Sequence, residues 1–338
     1  MTTPANSSPV RQLVACYGEA LVDVILQPYA QARALSNAAT ACLGGSVFNF
    51  CLASARQGLA TAYLNPLSAD AFGKQFQAIM RAEGIELPLA ARNDQASALP
   101  TSLAMVQLQK DAKASYIFHR ESVADRSATA METIAVMPTG TTLLHTGCLT
   151  LVPQDWPTTR RIVEHARARD ICISLDANLR PAVCSDIVNY RAAVMHALSL
   201  AHVAKVSDDD LQALGLDISS PLAAAQELMR GTNIQLLALT LGAQGAWLLS
   251  RSAQVYALPP SGLKVVDTVG AGDCFYAGLL ACLAQRGMLT SGSLGGLLLG
   301  ELQPALVHAI AAASINVQRS GCDPATWQET VALTWEAV

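Results

Sequence analysis

The sequence lacks the local signatures that would decide its function cheaply. No Gly-x-x-x-x-Gly-Lys is present, and no Gly-x-Gly-x-x-Gly; after Gly270 and Gly272, the third glycine of the latter is replaced by Phe275. P-loop and dinucleotide-fingerprint readings therefore fail. Nine cysteines are scattered without a Cys-x-x-Cys, an odd count in mostly apolar segments, and the six histidines form no ligand-spaced pair. A reduced, cytoplasmic protein without zinc is the expectation. Charge is sparse, 14% of residues with a net −4, and no basic stripe invites nucleic acid. Mean hydropathy is +0.31, yet no apolar run approaches the roughly 18–20 residues that a membrane-spanning helix needs. Residues 1–10 lack the basic-then-apolar layout of a signal peptide and read as a disordered tail. There is no internal repeat and no low-complexity linker.

What is there is alternation of strands and helices. Leu13 to Tyr17, Leu59 to Leu64, Leu143 to His145, Ile171 to Leu175 and Ile234 to Leu239 read as buried strands. Ala71 to Ala82, Trp156 to Arg169 and Ala305 to Val317 read as helices, as does the run after Gly45 through Arg56. This spacing predicts an α/β fold with parallel pairing. Ser102 to Leu108 and Ser115 to Phe118, joined by the polar stretch 109–114, predict a hairpin.

The stretch around which the chain is organised is Val265-Val266-Asp267-Thr268-Val269-Gly270-Ala271-Gly272-Asp273. A β-branched pair leads into a glycine turn and then a helical pattern. Open amides at a helix start and the positive end of its dipole make an anion site. A carboxylate at that spot makes sense as the acceptor of a proton from an attacking hydroxyl. The same residues also suit a plain strand-to-helix turn with an N-capping Asp. Other segments are equally two-sided. Asp23 suits a solvated strand position, and Gly44-Gly45 a simple loop-to-helix junction. Arg120 suits the surface, and Arg180 a pairing with a carboxylate or with phosphate. Ser207-Asp208-Asp209-Asp210 is a strong N-cap, and Gly242 with Gly245 suits a hairpin turn.

The whole string Asp-Thr-x-Gly-Ala-Gly-Asp closely resembles the C-terminal signature of the PfkB/ribokinase family of carbohydrate kinases. Further motifs follow in family order: Gly18-Glu19-x-x-x-Asp23, Gly44-Gly45-x-x-x-Asn49, Phe118-x-Arg120 with Ala124-Asp125, Asp176-x-Asn178-x-Arg180 and Thr240-x-Gly242-x-x-Gly245. The resemblance runs from about Leu13 to Trp335. It implies a ribokinase-like fold over residues 11–335: a mostly parallel central sheet with helices on both faces, plus a small β-sheet lid from segments near 18–40 and 98–121. It implies ATP-dependent transfer of the γ-phosphoryl to a sugar hydroxyl, with fructose to fructose 6-phosphate the best match. A 2-keto-3-deoxygluconate kinase and a ribokinase-type kinase are the alternatives, and a catalytically silent sugar-sensing relative is the non-enzymatic one.

The resemblance also implies roles. Asp273 is the base, Gly270, Ala271 and Gly272 stabilise the transferring group, and Arg180 assists. Asp23, Gly44, Gly45, Asn49, Arg120 and Asn178 hold sugar. Lys205, Ser207, Thr240, Gly242, Gly245, Gly270 and Gly272 face the nucleotide. Asp210 organises Mg²⁺, with Ser207 standing where the family has Asn and Asp210 where it has Glu. Asp267 and Val269 are the candidate ligands of K⁺. Pairing of lids implies a homodimer; neither nucleic acid nor membrane is an expected partner.

Overall fold

A computed structural model of the protein describes residues 12–26, 38–89, 98–108, 114–333 and 335. The tail expected at 1–10 and the hairpin connection at 109–113 lie outside them. Twelve described strands fall into two sheets. The first eight elements in chain order are β1 (Leu13–Cys16), β2 (Leu21–Leu26), β3 (Ala39–Gly44), α1 (Ser46–Arg56), β4 (Ala60–Tyr63), α2 (Ala71–Ala82), β5 (Ser102–Leu108) and β6 (Ala114–His119). Then come α3 (Ala130–Val136), β7 (Thr141–Gly147), α4 (Trp156–Arg167), β8 (Cys172–Asp176), α5 (Ile187–Leu200), β9 (Val203–Ser207), α6 (Asp208–Leu214) and α7 (Pro221–Arg230). The chain continues with β10 (Leu236–Thr240), β11 (Ala246–Ser250), β12 (Gln254–Ala257), α8 (Ala271–Gln285), α9 (Leu299–Asn316) and α10 (Trp327–Ala332).

The large sheet has the order β12-β11-β10-β9-β8-β7-β1-β4. Pairing is parallel from β4 to β10 and antiparallel at β10–β11 and β11–β12. Its strands read as continuous apolar runs because both faces are covered. Alternate residues enter different cores. Leu143, Val203 and Leu236 pack with α1, α8 and α9, whereas their neighbours Leu144, Ala204 and Leu237 pack with the helices of the opposite face. The small sheet has the order β3-β2-β5-β6, with a parallel central pair and antiparallel outer pairs. No described helix is long and apolar enough to cross a membrane.

Two elements differ from the sequence reading. Val265 and Val266 form no strand; they are exposed and lie along the end of α9, Val266 N–H donating to Val317 O at 2.8 Å. Helix α9 starts at Leu299 and carries Pro304 inside it. The missing proline N–H would have paired with the carbonyl of Gly300, an exposed residue, so that carbonyl can turn to water at little cost.

The chain crosses between β1 on one side and β7 on the other, and loops at the carboxyl ends of β1, β7, β8, β9 and β10 open onto one edge. That edge, at a topological switch point, is where open α/β sheets bind ligands.

Candidate active site

Helix α8 is preceded by Gly270, whose φ of +73° is the left-handed conformation that glycine tolerates. A Cβ there would lie 2.3 Å from Cys322 Sγ, so the position is closed to side chains twice over. Ala271 N–H is used by Thr268 O at 3.2 Å. Among the described residues, the amides of Gly272 and Asp273 in the same first turn have no protein acceptor and remain open for an anion.

Asp273 is 7% exposed. Its Oδ1 accepts the Ser46 hydroxyl at 2.7 Å, and its Oδ2 accepts Asn49 Nδ2 at 2.9 Å. Burial raises its pKa, against the opposing pull of Ser46, Asn49, Lys205 and Arg180. Ser46 and Asn49 sit in the first turn of α1, one turn apart on the same face. Gly45 precedes them with φ +108°, and a Cβ there would meet Glu19 O at 2.7 Å. Only glycine lets the loop come this close.

Asp23 stands on β2 beside Gly44, where a Cβ would lie 2.6 Å from its Oδ2. Burial pushes Asp23 up to about 6, with Arg180 pulling the other way. Asn178 follows β8 with φ +35° and donates to Ser46 Oγ at 2.9 Å. The Arg180 guanidinium bonds Leu179 O at 3.1 Å and stays charged: burial disfavours the cation, but the field of Cys148, Asp210, Asp273 and Asp176 outweighs it. These placements bring Asp23, Gly44, Gly45, Asn49, Asn178, Arg180 and the Gly270–Asp273 turn onto one edge.

Lys205 lies on β9 and binds both oxygens of Asp176, at 3.0 and 3.2 Å. A Cβ on Gly272 would lie 3.1 Å from its Nζ, so this ammonium adjoins the anion turn. Burial works against its charge, and the carboxylates of Asp176, Asp210 and Asp273 more than compensate. Thr240 registers beside Ser207 at the end of the sheet, and Gly242 and Gly245 form the turn from β10 into β11, both with positive φ.

Two of the expected site residues, Arg120 and Asp210, are engaged by other parts of the protein. Arg120 is 8% exposed and pairs with Asp155 at 3.1 Å, in the field of Asp125 and Glu19. Arg120 faces two buried carboxylates, Glu19 and Asp125, and the part-buried Asp155. Asp210 closes a capping box: its Oδ2 accepts Ser207 N–H and the Ser207 hydroxyl, both at 2.8 Å, and its Oδ1 accepts Leu179 N–H at 2.7 Å. With three donors on a buried carboxylate, Asp210 does not fit as a direct metal ligand. Among the described residues no cluster of three His, Cys, Asp or Glu could hold a metal ion. Asp267 receives Val269 N–H at 3.0 Å and Gly321 N–H at 2.9 Å, and Val269 O receives Asn316 Nδ2 at 2.8 Å. One lone pair remains on each of these oxygens, so they retain capacity for a monovalent ion.

Sequence reasoning missed Ser46 and the binding of Lys205 to Asp176. It quoted Glu19 only as a motif residue. Glu19 is fully buried, accepts Ser46 N–H at 3.0 Å and is pushed up to about 7 by burial, with Arg120 opposing. Each of these partners is at least 27 positions away, so no local pattern announces it.

The family model described as pfkB family carbohydrate kinase matches residues 11–329. A fructokinase of Rhizobium leguminosarum bv. trifolii is 30% identical over 288 residues, 82% of either chain. The crystal structure of a fructokinase with bound ATP from Xylella fastidiosa superposes with a TM-score of 0.79 at 25% identity, over 95% of this chain and 98% of that one. A fructokinase from Vibrio cholerae O395 in fructose, ADP and calcium ion bound form gives 0.72 at 25%, over 93% and 95%.

Proposed function

The chain belongs to the pfkB family of carbohydrate kinases, and from that premise we propose that this ATP-dependent sugar kinase phosphorylates fructose at its 6-hydroxyl. The observation that carries the mechanism is Asp273: a buried carboxylate in the first turn of α8, beside two open amides and flanked by Lys205 and Arg180. Asp273 takes the proton of the sugar hydroxyl as its oxygen bonds to the γ-phosphorus and the bond to the ADP oxygen breaks. The amides of Gly272 and Asp273, with Lys205 and Arg180, face the charge that develops on the phosphoryl oxygens. Asp23, Asn49 and Asn178 orient the sugar, and Gly44 and Gly45 let it approach the backbone. Ser207, Thr240, Gly242 and Gly245 border the nucleotide.

A bound Mg²⁺ would neutralise phosphate charge; held chiefly by the nucleotide and water, it needs few protein ligands. That agrees with an Asp210 already committed to three donors. K⁺ is assigned to the loop of Asp267 and Val269. The small sheet is read as a lid and as the surface through which two copies pair; light scattering on the purified protein tests the pairing.

The test of the acceptor is a coupled ADP-release assay with ATP and Mg²⁺ against fructose, 2-keto-3-deoxygluconate, ribose, tagatose and adenosine. The highest kcat/KM is expected for fructose. A higher value for another sugar overturns the fructose assignment and leaves the kinase.

Asp23 gives a pH dependence. With its pKa raised to about 6, it is a carboxylate acceptor for sugar hydroxyls at pH 7.5 and turns neutral as pH falls through about 6. KM for the sugar is therefore expected to climb below pH 6 in the wild type and to lose that climb in Asp23→Asn. A KM that stays flat from pH 7.5 to 5 contradicts a sugar-binding Asp23.

A further inference from the structure

Both oxygens of Asp273 are occupied, and the two occupants differ in kind. Asn49 is one of the residues assigned above to the sugar, so its amide on Oδ2 is exchangeable. Ser46 has no such alternative. Its hydroxyl is buried, and its oxygen already accepts Asn178 Nδ2 at 2.9 Å. A serine has one proton to give, so with Asn178 donating into the oxygen that proton goes to Asp273 Oδ1, at 2.7 Å. The backbone of Ser46 is pinned as well, its N–H donating to the buried Glu19 Oε1 at 3.0 Å.

We propose that Ser46 is the positioning residue of the base: it clamps Oδ1, so that Oδ2, released when Asn49 turns to the sugar, is the atom that takes the hydroxyl proton. The inference rests on the kinase reading. The chain Asn178 to Ser46 to Asp273 runs in one direction, and the hold on Oδ1 rests on Ser46, whose backbone Glu19 pins, so it persists when Asn178, itself assigned to the sugar, turns to it. The other groups facing Asp273 are Lys205 on β9, Arg180 beyond β8, Asp176 at the end of β8, and the Cys148 and Cys274 thiols; all stay in place when only the Ser46 hydroxyl is removed.

The experiment compares wild type, Ser46→Ala and Ser46→Thr in kcat, in KM for sugar and ATP, and in pH profile. A hydrogen bond to a charged group implies a fall in kcat of roughly 10- to 100-fold in Ser46→Ala. KM values are expected within about 3-fold of wild type, as for an interaction used in the transition state. Without that donor the carboxylate is less stabilised, so the acid limb of the kcat profile moves to higher pH. Ser46→Thr, which keeps the hydroxyl, restores most of the rate. Native kcat in Ser46→Ala overturns the clamp, and so does a raised KM at constant kcat, which would make Ser46 a sugar contact. A threonine variant as slow as the alanine one also overturns it, by assigning the effect to packing. Carboxyl ¹³C NMR titration of Asp273 in the sugar-free protein reads the same clamp without turnover: its pKa rises in Ser46→Ala, and an unmoved pKa rejects the proposal. Absence of turnover in wild type on every sugar would instead reject the kinase reading.

Discussion

Asp273→Asn is expected to lose roughly 10²–10⁴-fold in kcat, the usual contribution of a general base, while folding normally. The amide has the shape of the carboxylate and can still accept from Ser46 on its oxygen. It cannot accept the sugar proton. Stability should not suffer, and the sign can be worked out. Burial raises the Asp273 pKa in the folded state, so the charged carboxylate disfavours folding at any pH above its unfolded pKa. Replacing it by a neutral group removes that penalty, and Tm at pH 8 should be equal to or above wild type. Thermal unfolding and steady-state kinetics on the same preparation check both halves. A variant with near-native kcat would remove Asp273 from its role; a slow variant with a much lower Tm would make the loss structural.

The second large effect is on stability. Lys205→Met leaves Asp176 fully buried without its cation, and breaking one side of a buried pair costs about 3–5 kcal/mol. Each of the two carboxylate oxygens loses its bond to Nζ. Burial, with Asp210 and Asp273 nearby, already raises Asp176 to about 7 with Lys205 present. Removing the lysine raises it further, so the variant can shed the charge by taking up a proton. The penalty is absent below the unfolded carboxylate pKa, grows as pH rises and is complete above the folded pKa. The Tm deficit should thus be larger at pH 8 than at pH 5, and Asp176→Asn in the Lys205→Met background should recover much of it. An unchanged Tm at pH 8 would show that the pair contributes nothing net.

The physical signals that carry in a sequence are periodic or contiguous, and those parts were legible. Helix α2 has the predicted bounds, Ala71–Ala82, because Asp70 caps it and Gly84 ends the pattern with a positive φ. Helix α8 and its glycine turn were legible because a glycine-rich anion turn is contiguous in the chain. The two strands of the β5–β6 hairpin were read from alternation. Val265 and Val266 misled because β-branched residues suggest a strand, and here they lie exposed beside α9 with no strand partner. Helix α9 starts at Leu299 and not at the predicted Ala305, because the carbonyl that Pro304 leaves unpaired lies in the exposed first turn. Arg120 could not be placed from its motif alone: besides Asp125 in the motif it faces Asp155 and Glu19, which come from other parts of the chain. Ser46 was within the quoted motif, but nothing local says that its hydroxyl points at a residue 227 positions later.

That last separation bears on how the protein reaches its working state. Asp273 is supplied by α8, and both of its side-chain hydrogen-bonding partners by α1, 224 and 227 positions earlier. Strand β1 in turn sits between β4 and β7, so even the first strand waits for residues near 141 to be flanked on both sides. Contacts of such sequence separation form late, after the entropy of closing long loops has been met. During synthesis, the N-terminal half must therefore persist with α1 uncovered until α8 emerges and docks onto it. On refolding from denaturant, regain of helical signal should precede regain of turnover, the last event being the seating of α8 against α1.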